Sequence, residues 1–201
     1  TEKTMHDIEH FIYQNKDKLD VDFIVPKNFI SPHSSNRCLR YLMNNNSFNA
    51  FNTNRADVRF DPALDRVVFM VHDDEGRIIG GVGRSLNYNV LPKWYVYGSK
   101  KYPFICGEGD TAVIVEDCAS ACAVSDNFAG LSLMGTSLPQ EYISVIKKRF
   151  KNAIVALDRD ATTKAFDIAR EVGMVAHTRV VMLEDDLKYF KPNEIRDILN
   201  D

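Results

Sequence analysis

Short apolar runs alternate with stretches of helical spacing through the second half of the chain. The runs are rich in β-branched residues, as in strands that are buried on both faces, and they lie at 112–116, 130–134, 153–157 and 175–182. Helical spacing of apolar residues predicts helices at 117–125, 139–149, 161–172 and 193–199. Strands that alternate with helices are typical of a largely parallel sheet flanked by helices. We therefore predict an α/β fold for this half.

The first half has a different pattern, in which helices precede antiparallel strands. Helical spacing predicts an amphipathic helix over 2–19 and another helix over 36–43, and the Asn-rich stretch 44–54 is predicted to be a loop. Strand periodicity around the turn 73–76 then predicts a β-hairpin of strands 66–72 and 77–84, followed by a short strand at 95–97. This half is therefore a mixed α+β subdomain.

The segment between Gly107 and Gly109 separates the two patterns and predicts domains at 1–107 and 108–201. A net charge of −3 argues against a globally basic nucleic-acid coat protein, although a local basic face is compatible with it. No apolar run approaches the ~18 residues of a membrane span, and no signal peptide opens the chain. We expect a cytoplasmic protein, in the host cytoplasm if viral, without a membrane partner.

The four cysteines lack the spacing of a structural zinc site. Cys118 and Cys122 lie four residues apart on a predicted helix, but no second Cys/His pair accompanies them. Cys38 and Cys106 are isolated in the sequence. We interpret all four as small buried residues and expect no structural zinc.

Carboxylates follow two of the predicted parallel strands. Glu116 ends the first strand, and Asp158 and Asp160 end the third. The carboxyl ends of parallel strands are where α/β sheets place ligands, and an Asp-x-Asp pair on an extended segment presents both side chains on one side. Three carboxylates there form a hard oxygen site that suits Mg²⁺ or Mn²⁺. Asp117 either adds a ligand or caps the following helix.

Two further polar segments follow predicted strands. Gly135-Thr136-Ser137-Leu138 has the backbone amides and hydroxyls that hold a phosphate or orient a metal ligand, but capping of the next helix by Ser137 is equally consistent with it. Asp185-Asp186 is a candidate for a further acidic group.

The span from Gly76 to Gly107 contains no Asp or Glu. Its cations and aromatic residues are interleaved: Arg77, Arg84, Lys93, Lys100 and Lys101 with Tyr88, Trp94, Tyr95, Tyr97 and Tyr102. Cations attract phosphates and aromatic faces stack on unpaired bases, which favours single-stranded nucleic acid as a ligand. Glycines at 80, 81 and 83 would let a backbone or a ligand approach closely. The alternative is a solvated hairpin above an aromatic core.

These motifs resemble the Toprim catalytic domain, and in particular the replicative primases of bacterial and phage type. The resemblance covers about 55–185. In the Toprim part it rests on Val115-Glu116, Gly135-Thr136-Ser137-Leu138 and Leu157-Asp158-Arg159-Asp160. In the upstream part it rests on 65–69, 75–84 and Pro92-Lys93-Trp94, which are similar to the basic motifs of the primase amino-terminal subdomain.

The chain departs from the family pattern at three places. Ser120 stands where many Toprim proteins have a second acid, Arg159 replaces the Gly of Asp-Gly-Asp, and Ala161-Thr162 lacks the Gly that usually follows. These departures leave the number of metal ions open.

The resemblance implies the RNA-polymerase core of a DNA primase, which joins ribonucleoside triphosphates on a single-stranded DNA template. It implies that Glu116, Asp158 and Asp160 hold Mg²⁺ or Mn²⁺, with Asp117 as a weaker ligand. Arg77, Arg84 and Lys93 would bind template or triphosphate, with Arg66 as a weaker candidate. A zinc-binding module or a replicative helicase outside this chain is a possible partner.

Two other functions are compatible with the same residues. A Toprim nuclease would use the metal to cleave phosphodiesters, although Pro92-Lys93-Trp94 favours the primase. A non-catalytic nucleic-acid-binding subunit would use its acids only to cap helices and would not need Mg²⁺.

Overall fold

The computed structural model describes residues 22–135 and 137–200. The helix predicted over 2–19 lies outside the described residues, as does Thr136. The described chain forms two compact units. The first, here called the antiparallel unit, contains the described residues up to Tyr41 and Asp57–Phe104. The second, here called the parallel unit, contains Leu42–Ala56 and the chain from Ile105.

Six helices and nine strands follow one another in the described residues. The helices are α1 (Asn36–Asn44), α2 (Phe48–Asn52), α3 (Cys118–Ala123), α4 (Gln140–Arg149), α5 (Thr162–Val172) and α6 (Pro192–Asn200). The strands are β1 (Val58–Asp61), β2 (Arg66–His72), β3 (Ile78–Ser85), β4 (Trp94–Gly98), β5 (Ile105–Cys106), β6 (Thr111–Val115), β7 (Ala129–Ser132), β8 (Asn152–Asp158) and β9 (His177–Leu183). Short 3-10 turns lie at Pro32–Ser34, Arg159–Ala161 and Leu187–Tyr189.

The antiparallel unit is built on a four-stranded sheet in the order β1-β2-β3-β4. The predicted hairpin is its centre, and its turn is shaped by Asp73, whose carboxylate accepts hydrogen bonds from the amides of Glu75 and Arg77. Gly76 supplies the positive φ of +79° that the turn needs. Val68, Met70 and Tyr97 form a core on this sheet.

The glycines of β3 are packed against the protein itself rather than open to a ligand. A Cβ at Gly80 would lie 2.3 Å from the carbonyl oxygen of Tyr97, and one at Gly83 would lie 2.7 Å from the Tyr97 ring. Of the two approaches considered for these glycines, the structure shows the close approach of the protein's own backbone and side chains. Their small size lets neighbouring strands and side chains pack closely.

The parallel unit has a five-stranded sheet in the order β5-β7-β6-β8-β9. The pairings β7–β6, β6–β8 and β8–β9 are parallel, and only the short β5 is antiparallel. Ile114, Leu131, Val155 and Leu157 are fully or almost fully buried beneath helices α4 and α5. The predicted α/β fold with a mostly parallel sheet is confirmed. The two-residue β5 is too short to leave a periodic signal.

The stretch 44–54, predicted to be a loop, contains helix α2, so this part of the prediction was wrong. Ala50 is fully buried, and the Ser47 hydroxyl donates to the carbonyl oxygen of Ala119, 72 residues away. Tertiary packing of this kind overrides the low helix propensity of asparagine. The segment belongs to the parallel unit, whereas the predicted domain limits of 1–107 and 108–201 assign it to the first domain.

All four cysteines are buried and free. Among the described residues, no helix is both long and apolar enough to cross a bilayer.

Candidate acidic site and basic surface

The strand-end carboxylates of the parallel unit lie at one edge of the sheet. Strands β6 and β8 are parallel neighbours, with Ile114 beside Val155. Glu116 is the first residue after β6, and Asp158 is the last residue of β8. Both therefore lie at the carboxyl ends of adjacent central strands, where α/β sheets bind ligands.

Glu116 already has a cation beside it. Its side chain is 48% exposed, and its Oε2 lies 3.5 Å from the Nζ of Lys164 on α5. Most of the Lys164 side chain is buried, so helix α5 holds this ammonium group close to the carboxyl edge of the sheet. This edge, which carries Glu116, Asp158 and Asp160, is here called the acidic edge. The two charges partly offset each other, which keeps the edge from carrying an uncompensated negative charge.

Asp158 and Asp160 lie at a turn rather than along one extended strand. Strand β8 ends at Asp158, and a 3-10 turn begins at Arg159. The Oδ1 of Asp158 accepts a hydrogen bond of 2.9 Å from the Asp160 amide, so Asp158 caps this turn. The expectation that both carboxylates share one side of an extended segment was therefore wrong. Asp160 is exposed, and Asp158 is partly exposed.

Asp117 is buried in an ion pair that the sequence did not reveal. Its Oδ1 accepts from the Ser120 amide at 2.8 Å and so caps α3, and its Oδ2 accepts from Lys188 Nζ at 2.8 Å. Asp117 is 4% exposed and Lys188 is 5% exposed. The capping role considered for Asp117 is thus observed, and both of its oxygens are engaged by protein groups. Nothing in the sequence indicated Lys188, which lies 71 positions away.

Asp186 adds a partly exposed acid beside the buried Asp117–Lys188 pair. Its Oδ2 lies 3.6 Å from the Lys188 ammonium. Burial raises the pKa of Asp186, and the negative charges of Asp117 and Glu116 add to this rise. Burial alone would lower the pKa of Lys188, but the Asp117 carboxylate outweighs it and raises that pKa above its ordinary value. Of the two acids at 185–186, Asp186 is therefore the one that interacts with this edge.

The segment after β7 does not cap the next helix through Ser137. The N-cap of α4 is Pro139, and Ser137 itself is exposed. The capping interpretation of Ser137 was therefore wrong.

The donor chemistry of the edge fits a hard divalent cation, because Glu116, Asp158 and Asp160 supply only carboxylate oxygens. Among the described residues, however, no three acids, histidines or cysteines converge into a group that could hold a metal ion. Glu116 accepts from Lys164 instead, and Asp158 accepts from the Asp160 amide.

In the antiparallel unit, two of the candidate cations remain available. Arg84 lies on β3 with its guanidinium 5.6 Å from the centre of the Trp94 ring, and its Nη1 is buried without a hydrogen-bond partner among the described residues. Lys93 is exposed directly before β4. A buried donor without a partner is costly unless a ligand or water satisfies it, which favours Arg84 as a binding residue.

The other two candidates are engaged by the protein. Arg77 is exposed but pairs with Asp73 at 3.0 Å and with Glu75 at 3.2 Å. Arg66 is 3% exposed, and its guanidinium donates to backbone carbonyls within the unit. The acceptors are Gly83, Pro92 and Lys93, at 2.9, 2.7 and 3.3 Å.

Comparisons with known proteins agree with the motifs. No protein-family model matches the chain. A DNA primase from Clostridium acetobutylicum is 32% identical over 133 residues, which cover 57% of this chain and 22% of that protein. The chain spans about a fifth of the length of the curated relatives it matches.

Solved primase structures share the fold. The catalytic core of the E. coli primase matches with a TM-score of 0.64 and 16% identity, over 100% of this chain and 80% of that one. The DnaG primase catalytic domain bound to single-stranded DNA matches with a TM-score of 0.56 and 18% identity, over 84% of this chain and 60% of that one. The chain is therefore similar in sequence to bacterial DNA primases, and it has the fold of their catalytic core.

Proposed function

We propose that this chain is the RNA-polymerase core of a DNA primase, which synthesises short RNA primers from ribonucleoside triphosphates on single-stranded DNA. The observation that carries the proposal is the placement of Glu116 and Asp158 at the carboxyl ends of adjacent parallel strands. The similarity to DNA primases supports it, as does the binding of single-stranded DNA by a structural relative.

The acidic edge would hold Mg²⁺ or Mn²⁺ through Glu116, Asp158 and Asp160. A divalent cation at such a site neutralises charge on the reacting phosphates and aligns the attacking and leaving oxygens. Asp117 has a different task, because its two oxygens cap α3 and bind Lys188. Lys164 and Lys188 hold positive charge beside the acids and limit their mutual repulsion.

The antiparallel unit would bind the nucleic-acid backbone through Arg84 and Lys93. An Arg binds phosphate through several donors, and the Arg84 side chain is partly exposed. Arg77 contributes less, because two acids already neutralise it. A zinc-binding module and a replicative helicase remain predicted partners outside this chain. A cytoplasmic location follows from the proposed function, because a primase acts on DNA inside the cell.

One observation favours a second candidate, a non-catalytic nucleic-acid-binding subunit. Glu116 and Asp117 both have lysine partners, and no three metal-binding side chains converge among the described residues. In a pure binding protein, such pairs would serve stability alone.

Incorporation of labelled ribonucleotides on a single-stranded DNA template tests the proposal. We expect short labelled RNA products that require Mg²⁺ or Mn²⁺ and all four ribonucleoside triphosphates. A parallel reaction with end-labelled DNA and no triphosphates detects cleavage. Cleavage without synthesis would identify a nuclease, and metal-independent binding without either reaction would identify a binding subunit. Both of these results would contradict the proposal.

A further inference from the structure

The five aromatic residues interleaved with the cations of the acid-free span differ in their accessibility. Trp94 and Tyr97 are buried in the sheet. Tyr95 lies under the guanidinium of Arg66 at 5.5 Å, and the Tyr102 hydroxyl donates to Asp74. Tyr88 alone among these five is almost fully exposed, at 93%. Only this ring presents both faces to a ligand without rearrangement of the unit.

Tyr88 lies on the connection between β3 and β4, residues 86–93, here called the β3–β4 loop. The ends of the loop are tied together, because the Ser85 amide donates to the Lys93 carbonyl oxygen at 3.0 Å. Arg66 donates to the carbonyl oxygens of Pro92 and Lys93 from within the unit. A loop with a closed base loses little further entropy when a ligand binds it.

The start of the loop is held to the same unit. The Leu86 amide donates to the Asp65 carbonyl oxygen at 3.0 Å, and the Leu86 carbonyl oxygen accepts from Arg37 at 3.2 Å. Arg37 also binds both oxygens of the Asp65 carboxylate, at 2.8 and 2.9 Å. The base of the loop is therefore anchored on both sides.

A β-turn at the tip of the loop presents the Tyr88 ring. The Val90 amide donates to the Asn87 carbonyl oxygen at 3.1 Å, so Tyr88 and Asn89 are the central residues of the turn. The Asn87 side chain accepts from the Asn89 amide at 3.0 Å, an arrangement that stabilises such turns. The turn leaves the ring in solvent, where it contributes almost nothing to the folded core.

Positive charge lies at the base of the loop that carries this ring. Tyr88 is three residues from Ser85, so its Cα is at most about 11 Å from the base of the loop. Lys93 is at that base, and Arg84 directly precedes Ser85 in β3. No acid lies anywhere in the span 76–107. An exposed aromatic ring within reach of two available cations is the combination by which proteins bind single-stranded nucleic acid without reading its sequence.

We propose that Tyr88 is a stacking platform for an unpaired base of single-stranded DNA, while Arg84 and Lys93 hold nearby phosphates. This inference rests on the proposed function and adds to it a base-binding position. The stacking is independent of sequence, because every base has an aromatic face. Tyr88 is a substrate-positioning residue and takes no part in bond making.

The test compares the binding of two oligonucleotides of equal length and charge, a thymidine homopolymer and its abasic analogue, by fluorescence anisotropy. Tyr88→Ala should weaken binding to the homopolymer at least about fivefold and leave binding to the abasic strand unchanged. Tyr88→Phe, which keeps the ring, should bind like the parent. Lys93→Ala should weaken both complexes alike, since it removes a phosphate contact.

The salt dependence separates stacking from charge. Tyr88→Ala should leave the slope of log K against log salt unchanged, and all variants should melt like the parent because their side chains are exposed. Equal binding of the homopolymer by Tyr88→Ala and the parent would overturn the inference while leaving the proposed function intact. A parent protein that binds neither oligonucleotide would instead contradict the proposed function.

Discussion

The candidate functional side chains of the two units differ in how far the protein itself engages them. In the parallel unit, acids at the carboxyl edge of the sheet have partners: Lys164 beside Glu116, Lys188 beside Asp117, and a backbone amide on Asp158. In the antiparallel unit, Lys93 is exposed, and Arg84 has a buried nitrogen without a hydrogen-bond partner among the described residues. Protein groups hold the acids in a fixed local geometry, as a metal site requires. The two cations are left for a ligand that is large and variable in shape.

Burial accounts for the difference between Asp117, which is 4% exposed, and Lys93, which is exposed. A carboxylate that leaves water needs compensation, and a buried lysine or an amide supplies it. An exposed lysine is solvated and can exchange water for phosphate at little cost. Two other candidate arginines of the antiparallel unit are already engaged, because Arg66 is buried among carbonyls and the exposed Arg77 is paired with acids.

The largest expected effect is on catalysis at the acidic edge. Glu116→Gln keeps the size of the side chain but removes its charge, and we expect primer synthesis to fall by at least ~10²-fold. Because Glu116 is half exposed, the fold should be retained, which circular dichroism checks. Binding of single-stranded DNA is a second control and should not change. Near-normal synthesis by this variant would contradict the assignment of Glu116.

The next effect is on stability and compares the two lysines of the parallel unit. Lys188→Met leaves the buried Asp117 carboxylate without its cation, and we expect the free energy of unfolding to fall by about 3–5 kcal/mol. Lys164→Met is the matched control. Its partner Glu116 is half exposed, so the loss should be below about 1 kcal/mol.

Urea denaturation measures both lysine variants. The double variant Asp117→Asn/Lys188→Met should recover much of the loss, because the buried side chain at position 117 no longer carries a charge that needs a cation. Equal losses for Lys188→Met and Lys164→Met would show that burial does not distinguish these pairs.

The smallest effect concerns the two exposed cations of the antiparallel unit. Lys93→Ala should reduce the slope of log K against log salt for single-stranded DNA by nearly one unit. Arg77→Ala should leave it almost unchanged, because Asp73 and Glu75 already neutralise that guanidinium. A salt series of binding curves for the two variants tests this, and equal slopes would remove the distinction between paired and available cations.

The sequence predicted the architecture of the molecule better than its contacts. Runs such as 153–157 and the hairpin around Gly76 are local signals, so strands, helices and the parallel order followed from them. Helix α2 was missed because it depends on packing of Ala50 and on a hydrogen bond from Ser47 to a distant carbonyl.

The site was predictable to the same extent. Glu116 and Asp158 follow apolar runs, so their placement at the carboxyl edge could be predicted from the parallel direction of the strands. The partners could not, because Lys188 meets Asp117 across 71 positions and Arg66 finds carbonyls of a later loop. Burial also distinguishes Arg66 from Lys93. The sequence could not reveal this difference, because both residues are cations in segments that resemble the basic motifs.

The central claim is that the strand-end acids form a metal site, and thermal melting with and without Mn²⁺ tests it most directly. A cation that binds only the folded chain raises the melting temperature, and at about 100 times its dissociation constant it adds roughly 2.7 kcal/mol. We expect Mn²⁺ to raise the melting temperature of the parent by several degrees. The variant Asp158→Asn/Asp160→Asn should be at least as stable as the metal-free parent, since two nearby charges are gone, and it should not respond to Mn²⁺. An equal rise in parent and variant would mean that the ion binds elsewhere and that these carboxylates are not the metal site.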